Sequence, residues 1–194
     1  MHNQFNIVVC SSGGGGNFQA VIDARQELNI NISMLITDRD CGAVARAKKN
    51  GIPHVLLRRS NGASDLFTEF NQHMPECVDL IVLAGFMPII PPFLCDLWRG
   101  KIINTHPSLL PKYGGLGMYG VKVQEAVMRA NEEYAGCTVH YVEAGVDEGG
   151  VILQKAIKVN YDETPWQLGG RVFLEENRLL VDAIRLLAKR KIYN

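Results

Sequence analysis

Apolar residues fall in short β-branched runs separated by helix-length segments, and that alternation sets the expected architecture. Phe5-Asn6-Ile7-Val8-Val9-Cys10 reads as a buried strand. A loop of Ser11, Ser12, four glycines and Asn17 follows, then a helical pattern through Phe18, Val21, Ile22 and Leu28. Residues 32–37 predict a second strand, 43–50 a short helix stopped by Gly51, and 53–57 a third strand. Residues 64–73 are helical, with Ser64 as cap and His73 at a solvated end. The unbroken run inside residues 77–86 (Val78, Leu80, Ile81, Val82, Leu83, Ala84) suits a central parallel strand buried on both faces. Residues 92–98 form a crossover helix, 101–104 a fifth strand and 121–131 another helix. Residues 135–142 and 151–159 read as two antiparallel strands joined across the acidic turn Val146-Asp147-Glu148-Gly149-Gly150. Thr164 caps a final helix with Pro165 at its first position, running through Val172, Leu179, Leu180, Ile184 and Leu187 to the basic end Lys189-Arg190-Lys191.

Strands that alternate with helices imply right-handed crossovers. The expected fold is therefore α/β, a three-layer, mostly parallel doubly wound sheet with antiparallel strands toward the C-terminal half. The chain of 194 residues shows no repeat, low-complexity tract or linker, so we expect one domain over residues 1–194.

Composition narrows the partners. Twenty basic and twenty acidic residues cancel, which gives no general reason to expect nucleic acid or an anionic membrane surface. No apolar run is long enough for a membrane helix, and no signal peptide is evident. Cys10, Cys41, Cys77, Cys95 and Cys137 are odd in number, scattered, and form neither a CxxC pair nor a metal-ligand cluster. They read as buried or incidental reduced thiols of a cytoplasmic protein without a metal. A monomer or homodimer is expected, a point on which the cysteines are silent.

Two stretches carry candidate chemistry. In the first, a strand, a glycine loop and a helix start form a common anion cradle, because glycine lets backbone N–H groups approach and the helix N-terminus adds partial positive charge. Asn17 can cap that helix or donate to the anion. The loop is neither the dinucleotide nor the Walker pattern, and four glycines also make a plain loop. The second is Lys101 to Pro111. Asn104 and His106 are two apart, so on a strand end they share a face about 6–7 Å apart. One is an amide donor, the other a ring that exchanges a proton near neutral pH. The alternative is a strand end stiffened by Pro107 and Pro111. Prolines 88, 91 and 92 keep the loop at 85–90 out of helix, so its backbone can read the edge of a flat heterocycle or simply turn. Residues 113–120 are glycine-rich, a candidate lid or substrate edge. His140, in a strand with two unlike faces, reads as a satisfied strand residue rather than a catalyst.

In order along the chain, VVCSSGGGGNFQAVIDA, LIVLAGFMPIIP, IINTHPSLLPKYGG and GCTVHYVEAGVDEGGVILQ together resemble the phosphoribosylglycinamide formyltransferase family, over about residues 5–188. The resemblance implies transfer of a formyl group from 10-formyltetrahydrofolate, as cosubstrate, to the amine of glycinamide ribonucleotide in purine biosynthesis, without metal. Formyltetrahydrofolate hydrolase and a non-catalytic folate or nucleotide-binding module are the alternatives. It implies a catalytic trio of Asn104, His106 and Asp147, with Asp147 raising the His106 pKa. Gly15, Gly16, Asn17 and Glu176 would hold the ribonucleotide. Met87, Pro88, Ile89, Ile90, Asn104, Glu143, Ala144, Gly145, Val146 and Asp147 would line the folate pocket. Phosphate binding would fall to the half at about 1–100, and folate binding and catalysis to about 101–194. A cis peptide is expected at Leu110-Pro111. Three positions depart from the family pattern. A family arginine aligns near Ser64, with Arg58 and Arg59 close by; Pro88 stands where arginine is frequent; and Phe173 replaces a polar residue beside Glu176.

Overall fold

The computed structural model describes residues 4–57 and 63–192; Arg58, Arg59 and the Ser64 side chain lie outside the described residues. In chain order the elements are β1 (Phe5–Ser11), α1 (Gly16–Ala24), β2 (Ile30–Thr37), α2 (Gly42–Lys49), β3 (His54–Leu56), α3 (Ala63–Gln72), β4 (Leu80–Leu83) and α4 (Pro92–Leu97). Then come β5 (Ile102–His106), α5 (Val121–Arg129), β6 (Tyr134–Tyr141), β7 (Val151–Lys158) and α6 (Pro165–Ile192). The strands form one sheet in the order β3-β2-β1-β4-β5-β6-β7. β1 to β5 are parallel, and β6 runs antiparallel to both β5 and β7. The expected mixed, doubly wound sheet is thus present. The chain leaves β1 toward β2 and β3, then crosses back to β4 on the other side. The loops after β1 and β4 therefore diverge at their carboxyl ends, the point where open sheets of this kind bind ligands.

Strand parity builds the three layers. Ile7, Val9, Leu80, Val82 and Ile103 pack with Phe18 and Val21 of α1 and Leu180 and Ile184 of α6. Their neighbours Val8, Cys10, Ile81, Leu83 and Ile102 point to the other face, with Phe67 and Phe70 of α3 and Leu94 of α4. β2 breaks this parity. Ile7 pairs with Ile32 but Val8 with Met34, so Ser33 is an extra residue. That bulge lets Ile32 and Leu35 reach the same cluster although they are three apart.

Several boundaries moved for local reasons. α1 stops at Ala24 rather than continuing to Leu28. A turn closes there on Asn29, whose left-handed backbone (φ 51°) redirects the chain into β2. β5 extends two residues beyond the expected end and takes in His106. β6 and β7 are joined not by a short turn but by residues 142–150, the loop that carries Asp147. α6 starts as expected. The Thr164 hydroxyl accepts from Gln167 N–H at 3.3 Å, and Gln167 Oε1 accepts from Thr164 N–H at 2.7 Å, a reciprocal capping box. Leu110-Pro111 is cis, as expected. Among the described residues no helix is long and apolar enough to cross a membrane.

Candidate active site

A cavity of about 700 Å³ opens at the carboxyl ends of β4 and β5. Its walls come from the loop after β4, the end of β5, residues 115–121, the β6–β7 connection and the first turns of α6. The divergent loops are tied together at its rim. Ser12 N–H donates to the Gly85 carbonyl at 2.9 Å, and its hydroxyl accepts from Met87 N–H at 2.8 Å. This fixes the proline-rich backbone of residues 87–90 against the glycine loop. Met87, Pro88, Ile89 and Ile90 line one wall, and Glu143 to Asp147 line another.

Asn104, His106 and Asp147 meet here. Asn104 lies directly opposite His140 in the antiparallel register of β5 and β6, which brings the two side chains together on one face. His140 Nδ1–H donates to the Tyr141 carbonyl at 2.7 Å, leaving Nε2 to accept from Asn104 Nδ2 at 3.2 Å. The second Asn104 amide hydrogen is left for another acceptor. His106 is 4% exposed. Its Nε2–H donates to the Tyr113 carbonyl at 2.9 Å, and its Nδ1 lies 3.3 Å from Asp147 Oδ2. Asp147 adopts a left-handed backbone (φ 60°), which a short polar side chain tolerates better than most. Its Oδ2 also accepts from Gly115 N–H at 3.0 Å, and Oδ1 lies 3.6 Å from His140 Nε2.

Asp147 pulls the His106 pKa upward, as expected, but does not set its net direction. Burial drives the His106 pKa down; the Asp147 charge and the Tyr113 carbonyl pull it up but do not offset that loss, and His140 adds to it. The net direction is below the ordinary histidine value, not above it. For Asp147, burial works upward, but His140, the His106 charge and Gly115 N–H outweigh it and hold the carboxyl below its usual range. Near neutral pH the pair is an ionised carboxylate beside a neutral imidazole. The 3.3 Å separation of Nδ1 from Asp147 Oδ2 is longer than a charge-assisted hydrogen bond.

The other end of the cavity is a single buried carboxyl, that of Glu176. Glu176 Oε1 accepts from Thr105 Oγ1 at 2.9 Å and from Asn17 Nδ2 at 3.0 Å. Burial raises the Glu176 pKa, with the two donors opposing. The α1 cap position belongs to Gly15, so Asn17 is not the cap; its amide is spent on Glu176 and its Oδ1 has no protein partner. Gln124 Nε2 donates to the Pro107 carbonyl at 2.8 Å, and its buried Oε1 is likewise without a partner. Gly15 and Gly16 do not line the cavity. A Cβ on Gly16 would sit 2.3 Å from the tip of the Phe173 ring, so that ring fills the space a side chain would need. Gly15 has φ 72° and would place a Cβ 2.9 Å from Ala43 Cα. Arg46 Nε grips the loop from outside, donating to the Gly14 carbonyl at 2.8 Å.

The model of the formyl transferase family matches residues 5–184. The chain belongs to the formyl transferase family. Among its relatives is a chloroplastic phosphoribosylglycinamide formyltransferase of Arabidopsis thaliana, 33% identical across 96% of this chain and 66% of the relative's length. A phosphoribosylglycinamide formyltransferase of Haemophilus influenzae is 35% identical across 89% of this chain and 82% of its own. The crystal structure of a glycinamide ribonucleotide transformylase from Symbiobacterium toebii superposes with a TM-score of 0.90 at 33% identity, over 97% of this chain and 90% of that one. The chain thus spans a little under two thirds of the chloroplastic relative.

Within this member of the family, sequence reasoning missed several cavity residues. His140 is a satisfied strand residue, as expected, and it also holds the Asn104 amide. Parity hid Thr105, which faces Glu176 across the sheet from its neighbours Asn104 and His106. Gln124 had a readable signal, a polar residue beside Val123 and Val127 on the buried stripe of α5. The Tyr113 carbonyl and Gly115 N–H left no signal, since backbone groups do not show in composition. Residues 113–120, expected as a substrate edge, do contribute Gly115, Leu116, Met118 and Tyr119 to the wall.

Proposed function

We propose that this formyl transferase moves the formyl group of 10-formyltetrahydrofolate to the glycinamide amine of phosphoribosylglycinamide, a step of purine biosynthesis in the cytoplasm. The observation that carries the reading is the convergence of Asn104, His106 and Asp147 in one cavity that ends on the buried Glu176. Met87, Pro88, Ile89 and Ile90 with Glu143, Ala144, Gly145 and Val146 form a slot with an apolar wall, which fits a flat heterocycle. Glu176 and Asn17 receive the glycinamide end, and the loop at Gly15 and Gly16 receives the phosphate, with Phe173 as its neighbour. In this reading residues 1–100 supply the phosphate contacts and residues 101–194 supply all three catalytic groups.

The chemistry follows from what these groups can hold. The neutral amine attacks the formyl carbon, the carbonyl electrons move to oxygen, and the free Asn104 amide hydrogen donates to that oxyanion. Removing one such donor typically costs about 3–4 kcal/mol of barrier. His106 enters neutral with Nε2–H fixed on Tyr113, so Nδ1 takes the amine proton. Asp147 stabilises the imidazolium that forms. As the bond between the formyl carbon and the folate nitrogen breaks, the proton passes to that nitrogen. The balance closes without a covalent enzyme intermediate.

The test is to incubate the protein with 10-formyltetrahydrofolate, with and without phosphoribosylglycinamide. The reading predicts loss of the formyl donor only with the ribonucleotide present, and formylated ribonucleotide as product. Formate released at the same rate without ribonucleotide would assign a hydrolase, and tight folate binding without turnover a binding module.

A further inference from the structure

We propose that Glu132, which touches neither the cavity nor its lining trio, is a positioning residue for His106, acting through Tyr113. The inference rests on the formyl-transfer reading for its kinetic consequence and on geometry alone for its structural one.

The link starts at the stem of the glycine-rich segment. Tyr113 adopts a left-handed backbone (φ 58°), a conformation that residues other than glycine, asparagine and aspartate avoid. In that conformation its carbonyl accepts from His106 Nε2 at 2.9 Å. Two residues on, Gly115 N–H donates to Asp147 Oδ2 at 3.0 Å. Gly114 between them packs so closely that a Cβ would lie 2.5 Å from Leu110 Cδ2 and 3.2 Å from Asp147 Cβ. The stem therefore touches both members of the acid–base pair. A disfavoured backbone angle persists only where the surroundings over-determine it.

Glu132, just beyond α5, supplies that constraint from the outer side. Its Oε1 accepts from the Tyr113 hydroxyl at 2.9 Å and from Lys112 Nζ at 2.8 Å. Its own carbonyl accepts from the Tyr161 hydroxyl at 2.8 Å, which fixes the carboxylate's base. Ser108 Oγ donates to the Lys112 carbonyl at 2.6 Å and holds the stem one residue earlier, without constraining the direction of the Tyr113 carbonyl. The Tyr113 ring packs against the core, and its hydroxyl bond to Glu132 is the polar contact that fixes the outer end of the residue presenting the carbonyl to His106.

The consequence is tautomer control. The ring lies between two acceptors, the Tyr113 carbonyl 2.9 Å from Nε2 and the Asp147 carboxylate 3.3 Å from Nδ1, and the shorter contact places the hydrogen of the neutral ring on Nε2, leaving Nδ1 to exchange a proton. Without Glu132, Tyr113 relaxes toward ordinary backbone, its carbonyl leaves the ring, and the hydrogen is no longer confined to Nε2.

The experiment compares wild type, Glu132→Ala, Glu132→Gln and Tyr113→Phe. The first readout is the nitrogen chemical shifts of His106 in histidine-labelled protein at about pH 8, where neutral tautomers are distinguished; the His106 signal is assigned by its absence in His106→Asn. We expect an Nε2–H tautomer in wild type and Glu132→Gln, whose amide oxygen still accepts from Tyr113. A mixture is expected in Glu132→Ala and Tyr113→Phe. The second readout is turnover. Glu132→Ala should lower kcat about five- to tenfold, the size of one lost hydrogen bond, with both KM values little changed. Combining it with Tyr113→Phe should add nothing further. A wild-type tautomer in Glu132→Ala overturns the inference, whatever happens to thermal stability. Wild-type protein that shows the Nε2–H tautomer but no ribonucleotide-dependent transfer overturns the proposed function and leaves the positioning claim standing on the tautomer readout.

Discussion

His106 decides how the protein responds to acid. Its folded pKa lies below the ordinary 6.5, so between the two values the unfolded chain binds a proton that the folded chain does not. Stability is then highest above about 6.5 and is lost as pH falls through the window toward the folded value. Asp147 and His140 are the titratable groups facing the ring. Asp147 is held below its ordinary 3.8, so its own contribution is present above that value and is lost only in stronger acid. Glu176 runs the other way, since a raised carboxyl favours the folded state at low pH and loses that advantage as pH rises through its folded value. We predict that lowering pH from about 7 to about 5.5 destabilises wild type more than His106→Asn, measured by urea unfolding. An ion-paired, protonated His106 would give the opposite sign, with the wild type gaining on acidification relative to the variant.

At the scale of elements, the glycine loop and α1 carry two unlike glycines. Gly15 combines φ 72° with a Cβ position 2.9 Å from the Ala43 backbone, so Gly15→Ala meets both strain and a wall that cannot rotate away. We expect it to cost about 1–3 kcal/mol by urea unfolding. Gly16→Ala meets only the tip of the Phe173 ring, which is 40% exposed and has room to swing. In the first turn of a helix alanine also recovers up to about 1 kcal/mol over glycine. Gly16→Ala should therefore be close to neutral in stability, and an equal loss in both variants would show that Phe173 is fixed. Sequence pattern had treated the glycines of this loop alike, because a run of one residue type does not say which member faces a backbone. Pattern did better where chemistry is repetitive. The apolar run of β4, the proline start of α4 and the Thr164 cap of α6 each stood at the expected place. It failed where one residue changes direction, as Ser33 does in β2 and Asn29 does after α1.

For the whole molecule, alternation of strand and helix made the doubly wound sheet legible, and strand parity placed each apolar neighbour on its own face. The convergence of the site was not legible from periodicity. Asn104 and His106 are brought to Asp147 by the β6–β7 connection and to Glu176 by a helix that starts some sixty residues later, a closure that only the fold supplies. Family resemblance named those residues, and the packing shows why Glu176 must come from α6: its carboxyl reaches Thr105 and Asn17, on β5 and α1, across the core. That convergence has one decisive property, its ability to perform the transfer. The most direct measurement is ribonucleotide-dependent formyl transfer by His106→Ala beside wild type, with folding checked by thermal unfolding. The account predicts that kcat falls by about 10²–10⁴-fold while the variant remains folded. A folded His106→Ala protein that transfers the formyl group at the wild-type rate would contradict it.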